Sequence, residues 1–110
     1  MRRIEKDWGY EEVLEENNDY VVKKLFMKAG HRCSKQYHEF KRETFYLVSG
    51  TMAFHTEDGI MVVSAGYYKT IEPYEIHRME AITDIVYLES STPFLEDVVR
   101  LEDDYNRIDV

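Results

Sequence analysis

Three side chains of metal-ligating types lie between two glycines, and their spacing constrains the chain more than any other feature. Gln36, His38 and Glu43 follow the pattern Q-x-H-x4-E, with Gly30 before them and Gly50 after them. Side chains two residues apart on a strand point to the same face, so Gln36 and His38 can reach one point in space. A short turn could return Glu43 to that point. An amide oxygen, an imidazole and a carboxylate are ligands that zinc, nickel, manganese and iron accept, which predicts part of a metal site.

The best candidate for a fourth ligand is His77, which follows Gly66 in the second half of the chain. In order and spacing, the two segments resemble the two motifs of the cupin superfamily, G-x5-H-x-H-x3,4-E-x6-G and G-x5-P-x-G-x2-H. Gln36 stands in place of the first histidine, Glu72 in place of the proline and Tyr74 in place of the glycine. The resemblance implies an all-β cupin double-stranded β-helix, a jelly-roll barrel, with a short C-terminal tail or helix.

Composition and charge limit the classes of protein that remain. With 110 residues, the chain is expected to form a single cupin domain over residues 1–110. Its formal net charge of -8 disfavours nucleic acid and anionic membranes as partners. The lone cysteine, Cys33, permits no intrachain disulfide, and the sequence shows no signal peptide or transmembrane run. A cytoplasmic location is therefore expected.

Alternating apolar residues and turn signals predict about eight short strands, as in a jelly roll. One strand is predicted near residues 10–14 and the next over 20–28, with a turn at residues 17–19. In the second of these strands Val21, Leu25 and Met27 share one face, and Lys23 falls on the same face. After residue 92 the chain is predicted to form a short helix or an extended tail.

A narrower resemblance extends over nearly the whole chain. The segment SKQYHEFKRETFYLVSGTM resembles the cupin domain of type II mannose-6-phosphate isomerases, which typically reads Q-M-H-H-H-R-x-E-H-W-x-x-V-x-G-T. That domain also forms the C-terminal part of bifunctional mannose-1-phosphate guanylyltransferases. The tail LEDVVRLEDDYNR resembles the family's E-D-D-I-V-R-F-E-D-D-Y-G-R. Glu39 and Phe40 replace the family's histidines after the first, and Lys41 stands where the family has arginine.

This resemblance implies a metal-dependent aldose–ketose isomerase of a sugar phosphate, with the metal acting as a Lewis acid. The metal would be divalent, with zinc preferred over manganese, nickel or iron. Its ligands would be Gln36, His38, Glu43 and His77. Lys23 and Glu43 are assigned catalytic roles, and Lys41, Arg42 and Tyr68 are assigned to binding of the sugar or sugar phosphate. A homodimer is expected by analogy with small cupins, which pair through edge strands.

Several alternatives remain open at this stage. The chain could be another small-molecule cupin enzyme, of the uronate ring-opening or dioxygenase type, or a non-catalytic carbohydrate- or metabolite-binding cupin. The chain could also be a degenerate cupin in which the four proposed ligands only form hydrogen bonds within the barrel. Lys23 could be an edge-strand lysine or part of a buried ion pair, and Lys41 and Arg42 could be ordinary loop charges.

Overall fold

The computed structural model describes residues 2–94 and 96–106, and every regular element within them is a β-strand. In chain order the strands are β1 (Arg2–Lys6), β2 (Gly9–Glu16), β3 (Val21–Met27), β4 (Lys35–Tyr37), β5 (Glu43–Ser49), β6 (Thr51–Thr56), β7 (Gly59–Ser64), β8 (Tyr68–Ile71), β9 (His77–Ala81), β10 (Ile85–Ser91) and β11 (Val99–Glu102).

These strands form two antiparallel sheets. The six-stranded sheet has the order β1-β2-β3-β10-β5-β8, and the five-stranded sheet has the order β11-β4-β9-β6-β7. β1, β2 and β3 are neighbours in the first sheet and β6 and β7 are neighbours in the second, whereas every other pair of consecutive strands passes from one sheet to the other, as in a jelly roll. The predicted all-β jelly roll is confirmed. No helix long and apolar enough to cross a membrane occurs in the described part of the chain.

The core lies between the two sheets and follows the period of two that strands impose. In β3 the residues Val21, Lys23, Leu25 and Met27 are buried and the intervening ones are half-buried, as the sequence pattern predicts. The rings of Phe45 in β5 and Phe54 in β6 meet across the core with centroids 5.1 Å apart. Other fully buried apolar side chains are Leu47, Met52, Ile71, Met79, Ile85 and Tyr87. At about 1.5–3 kcal/mol for each large apolar side chain, burial in this layer holds the sheets together.

The prediction of about eight strands is too low, because β1, β4 and β11 carry no clear alternation of apolar residues. The segment RRIEK of β1 has only one apolar residue, yet it pairs with β2 from Arg2↔Val13 to Lys6↔Gly9. The tail is extended rather than helical: its β11 pairs with β4. Met1, Leu95 and residues 107–110, which the predictions for the N-terminus and tail also cover, lie outside the described residues.

A tight turn at Gly50 joins β5 to β6 and so links the two sheets. Gly50 has φ of 90°, a left-handed conformation that side-chain-bearing residues rarely adopt. A Cβ at this position would lie 2.2 Å from the carbonyl oxygen of Asp84. The turn therefore needs glycine both for its backbone conformation and for the close approach of the neighbouring chain.

Candidate metal centre

Three of the four predicted ligands converge inside the barrel. His38 follows β4, Glu43 begins β5 and His77 begins β9. All three are buried, and one potential ligand atom from each lies within 4.8 Å of the others. Glu43 Oε1 is 3.2 Å from His38 Nε2 and 3.4 Å from His77 Nε2. The arrangement brings two imidazoles and one carboxylate to a common point, which is a common set of ligands for a divalent metal.

Backbone carbonyls determine which nitrogen of each histidine faces this point. His38 Nδ1 donates to the carbonyl oxygen of Asp97 at 2.6 Å, and His77 Nδ1 donates to that of Glu75 at 2.9 Å. Because a carbonyl oxygen only accepts, Nδ1 carries the proton in both rings. In the neutral ring Nε2 then presents a lone pair, which is the form that ligates metals.

The electrostatics of the centre favour a cation between the three groups. Two lone-pair nitrogens facing a carboxylate oxygen repel one another unless a proton or a cation lies between them. His77 Nε2 is buried and has no hydrogen-bond partner among the described residues. Burial alone would raise the pKa of the Glu43 carboxyl, but hydrogen bonds that His38 and His77 donate when no cation separates them from it, together with the charge of Lys41, hold that pKa well below its usual value. A cation that takes the place of these protons would bind the ionised carboxylate.

Gln36 lies opposite His77 in the register between β4 and β9, so the two side chains are cross-strand neighbours. Its Oε1 accepts a hydrogen bond of 2.6 Å from Ser34 Oγ, which leaves a second lone pair on the same oxygen. Gln36 is half-buried and lines the same cavity as His38 and Glu43. The amide is therefore close to the three-residue cluster and keeps an oxygen lone pair available for a ligand.

A cavity of about 110 Å³ opens beside the centre. Its lining includes Lys23 and Lys41, both buried, and two buried carboxylates that the sequence analysis did not single out, Glu11 and Glu89. Lys41 Nζ lies 3.6 Å from Glu43 Oε2, so Lys41 is not an ordinary loop charge. His77 does not line this cavity. It belongs to the candidate metal centre because its Nε2 lies 3.4 Å from Glu43 Oε1.

Lys23 forms the centre of a buried ion-pair cluster. Its Nζ is 2.8 Å from Glu11 Oε1 and 3.6 Å from Glu89 Oε1. β3 lies between β2 and β10, so Lys23 is not an edge-strand lysine. Burial would lower the pKa of Lys23, but the charges of Glu89 and Glu11 outweigh it and keep the pKa above its ordinary value. For Glu89, burial and then the charge of Glu43 raise the pKa.

Two predicted substrate-binding residues are not brought to the cavity. Arg42 is exposed and its Nε is paired with the carboxylate of Glu72. Tyr68 begins the edge strand β8 and is 69% exposed, on the opposite face from the buried Ile71. Alternation explains this placement: positions 68 and 71 differ by an odd number, so their side chains point to opposite faces.

Several residues around the site had no assigned role in the sequence analysis. Glu89 was recognisable, since it continues the inward alternation of Ile85 and Tyr87 along β10. Asp97 binds the loop after His38 from a position far along the chain, and no local pattern indicates it. Trp8 and Arg100 line the cavity from opposite ends of the sequence.

Comparison with known proteins adds family information to this geometry. A family model described as "Mannose-6-phosphate isomerase C-terminal" matches residues 1–103. A mannose-1-phosphate guanylyltransferase from Salmonella muenchen is 26% identical over 102 residues, which cover 88% of this chain and 22% of that protein. The chain spans between 22% and 24% of the length of the curated relatives it matches.

Solved structures with the same fold are more distant in sequence. A protein with a double-stranded β-helix domain from Klebsiella pneumoniae superposes with a TM-score of 0.78 at 18% identity, covering 92% of this chain and 90% of that one. A cupin described as a sugar phosphate isomerase from Silicibacter pomeroyi gives a TM-score of 0.70 at 15% identity, covering 78% and 60%. These similarities confirm the predicted cupin double-stranded β-helix.

Proposed function

The chain belongs to the mannose-6-phosphate isomerase C-terminal family, and on this basis we propose that it is a metal-dependent isomerase of a sugar phosphate of the mannose 6-phosphate type. The reaction would interconvert an aldose and a ketose. Because the chain corresponds to less than a quarter of its curated relatives, this activity is proposed for the cupin domain itself. The acidic chain has a formal net charge of -8, so its recognition of an anionic sugar would depend on local positive charge within the cavity.

One observation carries the proposal: the Nε2 atoms of His38 and His77 face the same oxygen of Glu43, at 3.2 and 3.4 Å. Both rings have their Nδ1 protons held by carbonyl oxygens, so both can offer lone pairs to a cation. We propose that His38, Glu43, His77 and the amide oxygen of Gln36 hold one divalent ion, preferentially zinc. When bound, the ion would polarise the carbonyl and hydroxyl oxygens of an open-chain sugar.

The buried cluster around Lys23 is suited to the proton transfer between neighbouring carbons. Glu89 lines the cavity, and burial raises its pKa, which makes it a stronger base than an exposed carboxylate. In the proposed step the Glu89 carboxylate takes a proton from one carbon and returns it to the adjacent carbon, while the hydroxyl proton moves from the oxygen of the first carbon to the former carbonyl oxygen of the second. Lys23 remains protonated beside it and orients the carboxylate. Glu43, predicted as catalytic from the sequence, acts in this scheme as a ligand, and Lys41 contacts the substrate.

A non-catalytic sugar-binding cupin is the second candidate. Glu39 and Phe40 replace the family's histidines after the first, and both are exposed, with Phe40 68% exposed. A site with fewer imidazoles can bind the metal and a sugar phosphate without catalysing isomerisation of the sugar phosphate. This function class would show sugar-phosphate binding with no interconversion.

We further propose that the protein forms a homodimer through β7, one of the two edge strands of the five-stranded sheet. Ile60, Met61 and Val62 lie exposed along this strand, with Ile60 and Val62 at 62% and 68%. An edge strand has unpaired backbone N–H and C=O groups, which can form hydrogen bonds with the same strand of a second copy, and the apolar side chains can pack together there.

Proton NMR of the purified protein with mannose 6-phosphate or fructose 6-phosphate tests the isomerase directly. The wild-type protein is expected to interconvert the two. Glu43→Gln is expected to lose both bound metal and activity, whereas Glu89→Gln is expected to keep the metal and lose activity. Glu57→Gln, at an exposed turn, is the matched control and should behave as wild type. Activity that survives in Glu43→Gln would show that the ligand set is wrong.

A further inference from the structure

A second and larger space, the β1–β2 groove, adjoins the cavity beside the metal centre. The groove has a volume of about 590 Å³ and is lined by residues of β1 and β2 and by residues 93, 94, 96 and 97. Lys6, Glu11 and Lys23 line both the cavity and the groove, so the two spaces share one wall. A ligand in the cavity therefore has neighbouring space into which it can extend.

The size of the cavity limits what it can hold alone. Its volume is about 110 Å³, whereas pockets for small-molecule ligands generally measure about 300–1,000 Å³. The β1–β2 groove falls within that range. Lys23 Nζ lies 3.6 Å from the proposed base Glu89 and also lines the groove, so the groove begins close to the proposed reacting carbons. The part of a substrate that the cavity does not hold can occupy the groove.

Apolar side chains form one part of the groove. Its lining includes Ile4, Val13, Pro93 and Phe94. Phe94 is 45% exposed, and the centroid of its ring lies 6.2 Å from that of Phe40. The face of an aromatic ring carries partial negative charge and packs well against polarised C–H groups, such as those of a sugar ring. The exposed part of Phe94 is thus suited to contact with a sugar.

The charges in the groove favour an uncharged ligand over an anionic one. Among the described residues, its charged lining consists of three cations, Arg2, Lys6 and Lys23, and four carboxylates, those of Glu11, Glu16, Glu96 and Asp97. Each of the cations already has a carboxylate partner: Arg2 pairs with Glu16 at 3.3 Å, and Lys6 and Lys23 pair with Glu11 at 3.4 and 2.8 Å. An anion placed here would meet an excess of negative charge. Carboxylate oxygens instead accept hydrogen bonds from hydroxyl groups.

We propose that the β1–β2 groove binds a second, uncharged sugar ring, joined to the sugar that reaches the metal centre. The proposal rests on the proposed function, because it takes the cavity as the place where the first sugar reacts. Aldose–ketose interconversion changes only the first two carbons of a sugar, so an oxygen on a later carbon can carry another ring. The substrate class is then a reducing disaccharide or its phosphate.

Isothermal titration calorimetry of the wild-type protein with mannose and with 1,4- and 1,6-linked mannobiose tests this proposal. The second ring adds contacts in the groove, so at least one disaccharide is expected to bind about 10- to 100-fold more tightly than mannose. Saturation-transfer NMR should show that both rings of that disaccharide contact the protein. Equal affinities for mannose and both disaccharides, or contact through the reducing ring alone, would overturn the proposal.

Phe94→Ala is expected to weaken binding of the tighter disaccharide by about 10-fold and to reduce saturation of its second ring, because that ring loses its aromatic contact. Tyr46→Ala is the matched control. Tyr46 is 46% exposed, close to the value for Phe94, but it lies on the outward face of β5. Tyr46→Ala should therefore bind the disaccharide as wild type does. An equal loss of affinity in both variants, or no loss in Phe94→Ala, would refute the assignment.

A disaccharide whose second ring is a uronic acid tests the argument from charge. It is expected to bind more weakly than the neutral disaccharide of the same linkage, because the carboxylates of the groove repel it. An equal or higher affinity for the acidic disaccharide would show that the groove does not select an uncharged ring.

These binding measurements do not depend on turnover. If the neutral disaccharide binds more tightly than mannose and this gain requires Phe94, while mannose 6-phosphate is not isomerised, the isomerase is refuted and the second sugar site stands. If mannose 6-phosphate is isomerised while the disaccharides bind no more tightly than mannose, the isomerase stands and the second sugar site is refuted.

Discussion

The main-chain carbonyl of Asp97 accepts the Nδ1–H of His38 at 2.6 Å, so a residue of the C-terminal segment sets the tautomer of a candidate metal ligand. The Asp97 carboxylate also accepts three backbone N–H groups, from Glu39 at 3.0 Å, Phe40 at 2.7 Å and Lys41 at 2.9 Å. The same residue therefore orients the imidazole and holds the loop that returns the chain to Glu43. Contacts of this kind commonly contribute to metal affinity without touching the metal.

Asp97→Ala is expected to weaken metal binding by about 10- to 100-fold, because the loop loses its three hydrogen bonds and His38 is no longer held in place. Competition with a chelator of known affinity would measure the change. Glu96→Ala is the matched control, since the Glu96 side chain is exposed and makes no hydrogen bond among the described residues. Unchanged metal affinity in Asp97→Ala would show that the carboxylate does not support the site.

Removal of the metal is expected to lower the melting temperature of the wild-type protein. A ligand that binds only the folded state stabilises it by about 2.7 kcal/mol at a hundred times its dissociation constant. Thermal unfolding followed by circular dichroism, with and without a chelator, gives the difference. His77→Ala should show no further loss on chelation, because it already lacks a ligand. A chelator effect of equal size in both proteins would contradict this account.

The ion pair between Glu11 and Lys23 is expected to make stability depend on pH. Burial opposes the charge on Glu11, but Lys23 outweighs it and lowers the pKa of Glu11 below 4.5. A carboxyl with a depressed pKa in the folded state stabilises the protein above its unfolded pKa, and this contribution is lost as the pH falls through the folded pKa. Glu11→Gln should therefore destabilise the protein at pH 7, by about 2 kcal/mol.

The difference between wild type and Glu11→Gln should shrink as the pH falls below about 4.5. Urea unfolding at several pH values measures it. Glu12→Gln, at a half-buried position that forms no ion pair among the described residues, serves as the control. A difference between wild type and Glu11→Gln that is independent of pH would contradict the assignment of the stabilisation to the charged carboxylate.

Val62→Lys is expected to convert the proposed dimer into a monomer, because it places a charge on the exposed apolar edge of β7. Light scattering coupled to size-exclusion chromatography reports the mass. Ile82→Lys changes an apolar residue of 48% exposure outside β7 and should leave the dimer intact. A wild-type protein that is monomeric at all concentrations would refute the proposed dimer.

The sequence predicted the direction of a side chain where a metal-ligating or charged residue lies at a position whose facing is determined by the two-residue period of a strand. The spacing of His38 and Glu43 predicted their convergence, and the alternation in β3 predicted that Lys23 faces inward among apolar residues. The alternation in β10 likewise places Glu89 on the inward face with Ile85 and Tyr87. For Tyr68, alternation from the buried Ile71 indicates an outward side chain, as the structure shows.

Other features could not be predicted from local pattern. Lys41 and Arg42 are neighbours in a loop, where no fixed period determines direction, and only Lys41 turns inward. Asp97 binds a loop that lies 59 positions earlier at His38, so its role appears only in three dimensions. The Nε atom of Arg100 is buried without an acceptor among the described residues, and a sequence does not show which acceptors a folded chain brings near.

Metal analysis of the purified protein tests the central claim most directly. After exposure to zinc and removal of the unbound ion, mass spectrometry of the metal content should find about one zinc per wild-type chain, as expected for a site built from one set of ligands. Glu43→Gln and His77→Ala, both folded by circular dichroism, should retain almost none. A wild-type protein that holds no divalent metal under these conditions, or variants that hold as much as wild type, would contradict the account.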